Sequence, residues 1–491
     1  MKLNKLAASC ALAMAALSGQ AYALNAFDAP DLDVYMTGAS APQHILSNVA
    51  SQLFDSAQGI FTFYDDAGTA GTFNSSDGKN YRAFFGVVKA GPGVPAGLVG
   101  KKVMLQNRAK GGSVFGVDPV ARAQGLANMN VSAATCTLNN TATASTYGYA
   151  CATRGEDTTH ATALPNRVPD FGVSDVEPNM FKGPYNVEPG ASQLTSAEAA
   201  IFNGAQFGTN AVMFGLPVTT EVPAATYISK ADFGGMLNGS VQYWEQVDAS
   251  LASLPSGSQV VVCRRVQGSG TQATYNNLFS HFPCENGSIA GNGTVAPAAA
   301  ADSASIALGS ATGSGSTAAD PILVSAADGY TVAEAAGSGD VRTCLATAQA
   351  GGTYSFQAGD GKYYKVDFGT GHYGAVGILS MDSAGLENGW SFRALDGVAP
   401  TKQNMIDVKY DLVSEQSMQY RNTLPAGIKK DFINLFITKA GDPNVLLAIS
   451  NVGVRDSVAA VPVGSNDPTT NTNVMKGTRY GNSCSPIRKL Y

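Results

Sequence analysis

The segment Cys263-Arg264-Arg265-Val266-Gln267-Gly268-Ser269-Gly270-Thr271 runs straight into a stretch of helical periodicity carried by Tyr275, Leu278, Phe279 and Phe282. The start of a helix leaves several backbone N–H groups unpaired and carries partial positive charge, and glycine there lets an anion approach the backbone. Ser269 and Thr271 add hydroxyl donors, and Arg265 can give two parallel charge-assisted hydrogen bonds to an oxyanion. The lysine of Gly-x-x-x-x-Gly-Lys-Ser/Thr is missing, so a nucleoside triphosphate is not the natural ligand. A small tetrahedral oxyanion fits better. The competing reading is an ordinary helix cap beside a surface arginine. Arg264 is expected to face solvent or a carboxylate.

Three further stretches point the same way. Thr37-Gly-Ala-Ser-Ala-Pro-Gln-His-Ile45 repeats the pattern of glycine, hydroxyl and helix start, so that Ser40 and the amide of Ala41 can reach the same ligand. Tyr64-Asp-Asp-Ala-Gly-Thr-Ala-Gly-Thr-Phe-Asn74 puts Thr69 in a Gly/Ala-rich turn after a strand-like run. Phe171-Gly-Val-Ser-Asp-Val-Glu-Pro178 ends an apolar run on Ser174-Asp175. Asp175 is either a helix cap or an acceptor that discriminates between anions. An ionised carboxylate accepts a hydrogen bond from a protonated oxyanion such as HPO4 and repels one without a proton, such as SO4.

In this order, GASAP, AGTAG, FGVSD and RVQGSGT resemble the motifs of the phosphate-binding proteins that serve Pst-type ABC importers and of the related DING proteins. The likeness extends to DFGGMLNGSVQYWEQVD at 232–248, to LDGVAPTKQNM at 395–405 and to the final Leu-Tyr. The resemblance implies an α/β fold of the type 2 periplasmic-binding class, with two α/β lobes joined by crossing hinge strands that close on a dehydrated phosphate. It implies that Ser40, Ala41 and Thr69 donate from one lobe and that Asp175 accepts the phosphate proton. Arg265 would supply the charged pair, with Ser269, Gly270 and Thr271 completing the cradle from the other lobe. Two departures stand out. Gln267 replaces the aspartate the family commonly carries two residues after the arginine, and the gap from Thr69 to Asp175 is longer than usual.

The surrounding elements must hold these groups. Apolar runs alternate with helical patterns, which reads as mixed α/β. Ile45, Leu46, Val49 and Leu53 share a helical face behind Pro42, as do Ile428, Phe432, Leu435 and Phe436 before Gly441-Asp442-Pro443, while 210–220 and 373–382 read as buried strands. The expected organisation is a signal peptide at 1–23, a first part of lobe I at 24–211 with a Gly/Ala/Thr/Asn-rich insertion at about 84–165, and lobe II at 212–384. A Gly/Ala/Ser-rich insertion is expected at about 285–360 and the second part of lobe I at 385–491. Both insertions read as surface elaboration.

The leader has Lys2 and Lys5, an apolar run and Ala21-Tyr22-Ala23, and is expected to be cleaved after Ala23 into a periplasmic or secreted product. Cys10 lacks the surroundings of a lipoprotein site, and no later run reaches the ~18 apolar residues of a membrane span. A formal charge of −6 over 491 residues argues against a nonspecific nucleic-acid surface. Cys136, Cys151, Cys263, Cys284, Cys344 and Cys484 are disulfide candidates whose pairing the sequence leaves open; we expect 136–151, 263–284 and 344–484.

No cofactor or metal is expected, and the partners are inorganic phosphate and an inner-membrane importer, with the protein itself a monomer. An enzymatic alternative, a secreted phosphatase, finds no Gly-x-Ser-x-Gly elbow or His-Glu-x-x-His, and His44, His160, His281 and His372 read as structural. A third reading is a secreted interaction protein whose insertions bind a partner and whose oxyanion site is vestigial.

Overall fold

The computed structural model describes residues 24–65, 81–143, 146–151, 166–187, 191, 193–202, 208–284, 312–359 and 361–491. The expected leader and Thr69 lie outside them. The chain forms two α/β lobes. Lobe I is built on β1 (Leu32–Gly38), β2 (Ile60–Asp65), β3 (Tyr81–Val87), β4 (Lys102–Arg108), β5 (Cys136–Thr143), β6 (Thr146–Cys151) and β7 (Phe171–Ser174). Lobe II is built on β8 (Asn210–Thr219), β9 (Val261–Arg265), β11 (Thr331–Ala335), β14 (Ala375–Gly377) and β15 (Leu379–Ser380), with β16 (Trp390–Arg393), β17 (Val413–Glu415) and β19 (Val458–Ala460) also pairing β8. A small sheet of β10 (Ile322–Ser325), β12 (Thr353–Gln357) and β13 (Tyr363–Asp367) stands beside it.

Adding β18 (Ser417–Gln419), the lobe I sheet runs β18-β7-β1-β4-β3-β2-β6-β5. β1 is parallel to both β4 and β7, so their C-terminal ends open on one edge. In open α/β sheets that edge is where ligands bind. β3 and β4 stand between β1 and β2, so the end of β2, which leads toward Thr69, is three strand spacings from β1, about 14 Å. The segments expected as insertions thus supply β4 and β11 to the main sheets as well as the β5-β6 hairpin.

Two segments cross between the lobes. β8 is buried along its whole length, pairing β17 and β19 through its first residues and β15 and β16 through its last. β17 pairs β8, and β18, two residues on, pairs β7 in the other sheet. This is the hinge arrangement that the resemblance implies.

The longer helices follow the apolar periodicity. They are α1 (Gln43–Leu53), α2 (Lys230–Asn238), α3 (Gly270–Ser280), α4 (Ser338–Ala350) and α5 (Ile428–Ala440). α5 returns to lobe I, where Phe436 packs edge-on against Phe171 at 5.8 Å. No helix among the described residues is long and apolar enough to cross a membrane.

The disulfides are Cys136–Cys151, Cys263–Cys344 and Cys284–Cys484. The first matches expectation, and the other two correct it. α4 packs on the lobe II sheet and lays Cys344 over Cys263 of β9, where both are fully buried. The C-terminal segment comes to the end of α3, where Asn277 Nδ2 donates to Ser483 O at 2.6 Å, and so brings Cys484 to Cys284.

Candidate interlobe oxyanion site

Asp175 directly follows the last residue of β7 and is only 1% exposed. Its Oδ2 accepts from Thr271 Oγ1 at 3.1 Å and from Ser113 Oγ at 3.3 Å, while Oδ1 accepts from Gln416 Nε2 at 3.3 Å. Burial pushes its pKa up to about 6, against the lowering pull of Arg265 and then of the hydroxyl and amide donors. Ser414 Oγ fixes the backbone by donating to the Asp175 carbonyl.

Arg265 ends β9 and is equally buried. Its Nη1 donates to Ser40 Oγ at 3.1 Å, and Nε and Nη2 donate to the carbonyls of Ala335 and Ala336 at 3.3 and 2.9 Å. Backbone oxygens therefore hold the guanidinium where the family commonly has an aspartate. Gln267, at that position, is buried, and its Oε1 has no partner. Burial lowers the Arg265 pKa to about 10, leaving it a full cation at neutral pH. Asp175 and Arg265 feel each other's charge but do not form an ion pair, so a bridging anion can be held between them.

Ser269 caps α3 through its Oγ, which accepts the Gln272 N–H at 3.3 Å. The amides of Gly270 and Thr271, in the first turn, have no acceptor within the helix. Gly270 has to be glycine, because a Cβ there would stand 2.3 Å from Ser113 Oγ and 2.8 Å from Asp175 Cβ.

The structure brings Ser40, Ala41, Asp175, Arg265, Ser269, Gly270 and Thr271 together as buried groups where the lobes meet. It also adds Ser113, which the sequence reading missed. Ser113 Oγ both donates to Asp175 Oδ2 and accepts the Asp175 N–H, at 3.2 Å. Its loop follows β4, the direct neighbour of β1, and docks onto the opposite lobe: Val114 N–H donates to Gly268 O at 2.9 Å. Gly112, at φ +86, lies so close to Ser269 that a Cβ would come within 2.8 Å of its Cα. The signal was Lys110-Gly111-Gly112-Ser113 between a strand and a helical turn, the same kind of glycine-hydroxyl element as the other loops.

Arg264 faces a carboxylate, one of its two expected surroundings, and not solvent. It is 1% exposed and paired with Glu334, its register partner on β11. Among the described residues no cluster of His, Cys, Asp and Glu could hold a metal ion. His281 caps α3, exposed His372 pairs with Glu221 at 3.0 Å, and His160 lies outside the described residues.

No protein-family model matches the chain, and no curated protein does. Among solved structures it is similar to a chain from Clostridium perfringens, assigned as a phosphate ABC transporter substrate-binding protein and solved with bound phosphate. The identity is 11%, covering 85% of this chain and 97% of that one, with a TM-score of 0.41. It is also similar to PstS from Borrelia burgdorferi, at 12% identity, 86% and 98% coverage and a TM-score of 0.34. An ABC-type phosphate transport receptor from Vibrio cholerae matches at 13% identity, over 58% of this chain and 79% of that one, with a TM-score of 0.31.

Proposed function

We propose that this chain is a solute-binding protein that captures inorganic phosphate between its lobes and hands it to an ABC importer. The observation that carries this reading is the buried Arg265, held by carbonyls and Ser40 and free of any ion pair, facing the buried Asp175. An anion between them receives charge-assisted bonds from the arginine and donates its own proton to the carboxylate. Phosphate has a proton to give near neutral pH and sulfate has none, so sulfate leaves Asp175 against an unpaired oxygen.

Ser40, the Ala41 amide, Ser113, Ser269, and the amides and hydroxyl of Gly270 and Thr271 supply the remaining donors. Ser113 takes the second-loop role that the resemblance implies for Thr69, because its strand adjoins β1 and its hydroxyl already touches Asp175. The working state is a monomer in the periplasm or outside the cell, released from its leader after Ala23. The chemistry asked of the site is binding alone, with no covalent step.

The test is calorimetric titration of the mature, phosphate-stripped protein with phosphate and then sulfate at neutral pH. One-to-one phosphate binding with little sulfate response is expected. No heat with either anion would overturn the assignment and leave the interaction-protein reading in its place.

A further inference from the structure

Beside the cradle, the lobe interface holds a second polar cluster that orthophosphate capture does not use. On the lobe I side, His44 lies in the first turn of α1 and is 8% exposed. Its Nδ1 is 3.4 Å from Arg82 Nη1, which also donates to Ser47 Oγ at 3.2 Å, while its Nε2 is buried with no partner. On the lobe II side, Arg342 Nη1 donates to Ser383 Oγ at 2.9 Å, and Arg342 has no carboxylate in ion-pair contact. Asp382 is 3% exposed and its Oδ1 accepts from Ser380 Oγ at 2.6 Å, with Oδ2 left unpartnered.

Two links join this cluster to the cradle. Ser380 Oγ also reaches the Ala41 carbonyl at 3.4 Å. Ser338, the first residue of α4, is 3% exposed with an unpartnered Oγ, and Ala336, two residues before it, accepts from Arg265. Arg342 follows Ser338 by four residues, about 6 Å along the helix.

The charges facing this point are Arg82, Arg342, Asp340 and Asp382. Asp340 is occupied by the Gly337 N–H at 3.0 Å. Burial and then the two guanidiniums hold His44 well below its usual pKa, so it stays neutral between arginines of opposite lobes. Buried polar atoms left without partners are costly. Here the Ser338 hydroxyl and the second imidazole nitrogen of His44 are such atoms, and the Arg342 guanidinium lies within electrostatic reach of His44, with Asp382 and Asp340 as its opposite charges but no ion pair to either. From Arg342 a groove of about 520 Å³ runs along α4 past Thr343 and Thr347, with Leu386 and Asn388 as the other wall.

We propose that this cluster is a second anion subsite, so that the cleft also accepts ligands in which a phosphoryl group is linked to a second acidic group. The phosphoryl group sits on Arg265, the second anion on Arg342 and Ser338, and any larger remainder lies in the groove. The proposal rests on the phosphate reading of the cradle.

Its test is titration of the stripped full chain with orthophosphate, pyrophosphate and phosphonoacetate, using wild type, Arg342→Gln and Ser338→Ala. Wild type is expected to bind at least one linked dianion as tightly as orthophosphate, and the one preferred separates a condensed phosphate from a carboxylate-bearing ligand. Arg342→Gln should weaken the linked dianion about tenfold or more and orthophosphate less than about threefold. Ser338→Ala should move the same ratio in the same direction, and it decides the matter if Arg342→Gln does not fold. Equal losses for all ligands, or none, would overturn the subsite. Orthophosphate binding without any response to the linked dianions would overturn the subsite alone. Failure of wild type to bind orthophosphate would overturn the cradle reading and the subsite with it.

Discussion

Thr271 Oγ1 donates to Asp175 Oδ2 across 3.1 Å, tying the first turn of α3 in lobe II to the end of β7 in lobe I. The carboxylate holds a hydroxyl that an arriving oxyanion would also use. A protonated anion can enter this pair by giving its own proton to Asp175 while taking the threonine bond. Asp175→Asn removes that exchange, because the amide cannot discriminate between a protonated and an unprotonated oxygen. The preference for phosphate over sulfate should narrow by about tenfold or more, the worth of one charge-assisted bond. An unaltered ratio in competition titrations would reject the proton-sensing role.

Arg265→Ala should weaken phosphate binding by about 3 kcal/mol or more, since it strands a buried anion with its main cation gone. Arg264→Gln is the contrasting variant. It breaks a buried pair with Glu334 and should lower the melting temperature while leaving the phosphate-to-sulfate ratio intact. Calorimetry and thermal unfolding on both variants separate the two arginines.

Burial raises Asp175 from its ordinary 3.8 to about 6 and Asp382 to about 7. A raised folded-state pKa means that the folded protein holds protons the unfolded chain has released. The stability these groups contribute is therefore full below pH 3.8 and lost as pH rises through 6 and 7. Asp175→Asn should gain on wild type across that window by about 3 kcal/mol, at 1.36 kcal/mol per unit. Denaturant unfolding of both proteins without phosphate, from pH 4 to 8, gives the difference directly. A constant difference would show that Asp175 does not titrate in the fold.

Gly270→Ala puts a methyl group against Ser113 and Asp175 from the opposite lobe. Closure should fail before the fold does, because the clash lies between lobes rather than within either core. Phosphate affinity is expected to drop about fivefold to a hundredfold, the overpacking cost of roughly 1–3 kcal/mol at about 1.4 kcal/mol per decade, and small-angle scattering should show no contraction on adding phosphate. Contraction with wild-type affinity would mean that the lobes do not meet at Gly270.

Much of this site was legible because its chemistry is local. Glycine, a hydroxyl and a helix start lie together at Ser40 and at Ser269, and the arginine and the aspartate each stand at the end of an apolar strand. Ser113 was not legible as a site residue, because its place depends on β4 lying beside β1, a pairing between distant segments that no local pattern encodes. The two misassigned disulfides have the same cause. Cys263 and Cys344 are brought together by α4 packing over β9, and Cys284 meets Cys484 across 200 residues of sequence.

A structure of the protein crystallised with phosphate tests the assignment most directly. Phosphate is expected between Arg265 and Asp175, within hydrogen-bonding distance of both, of Ser113 and Thr271, of the Ala41 amide and of the first amides of α3. An empty cleft at saturating phosphate, with the Thr271–Asp175 bond intact, would contradict it.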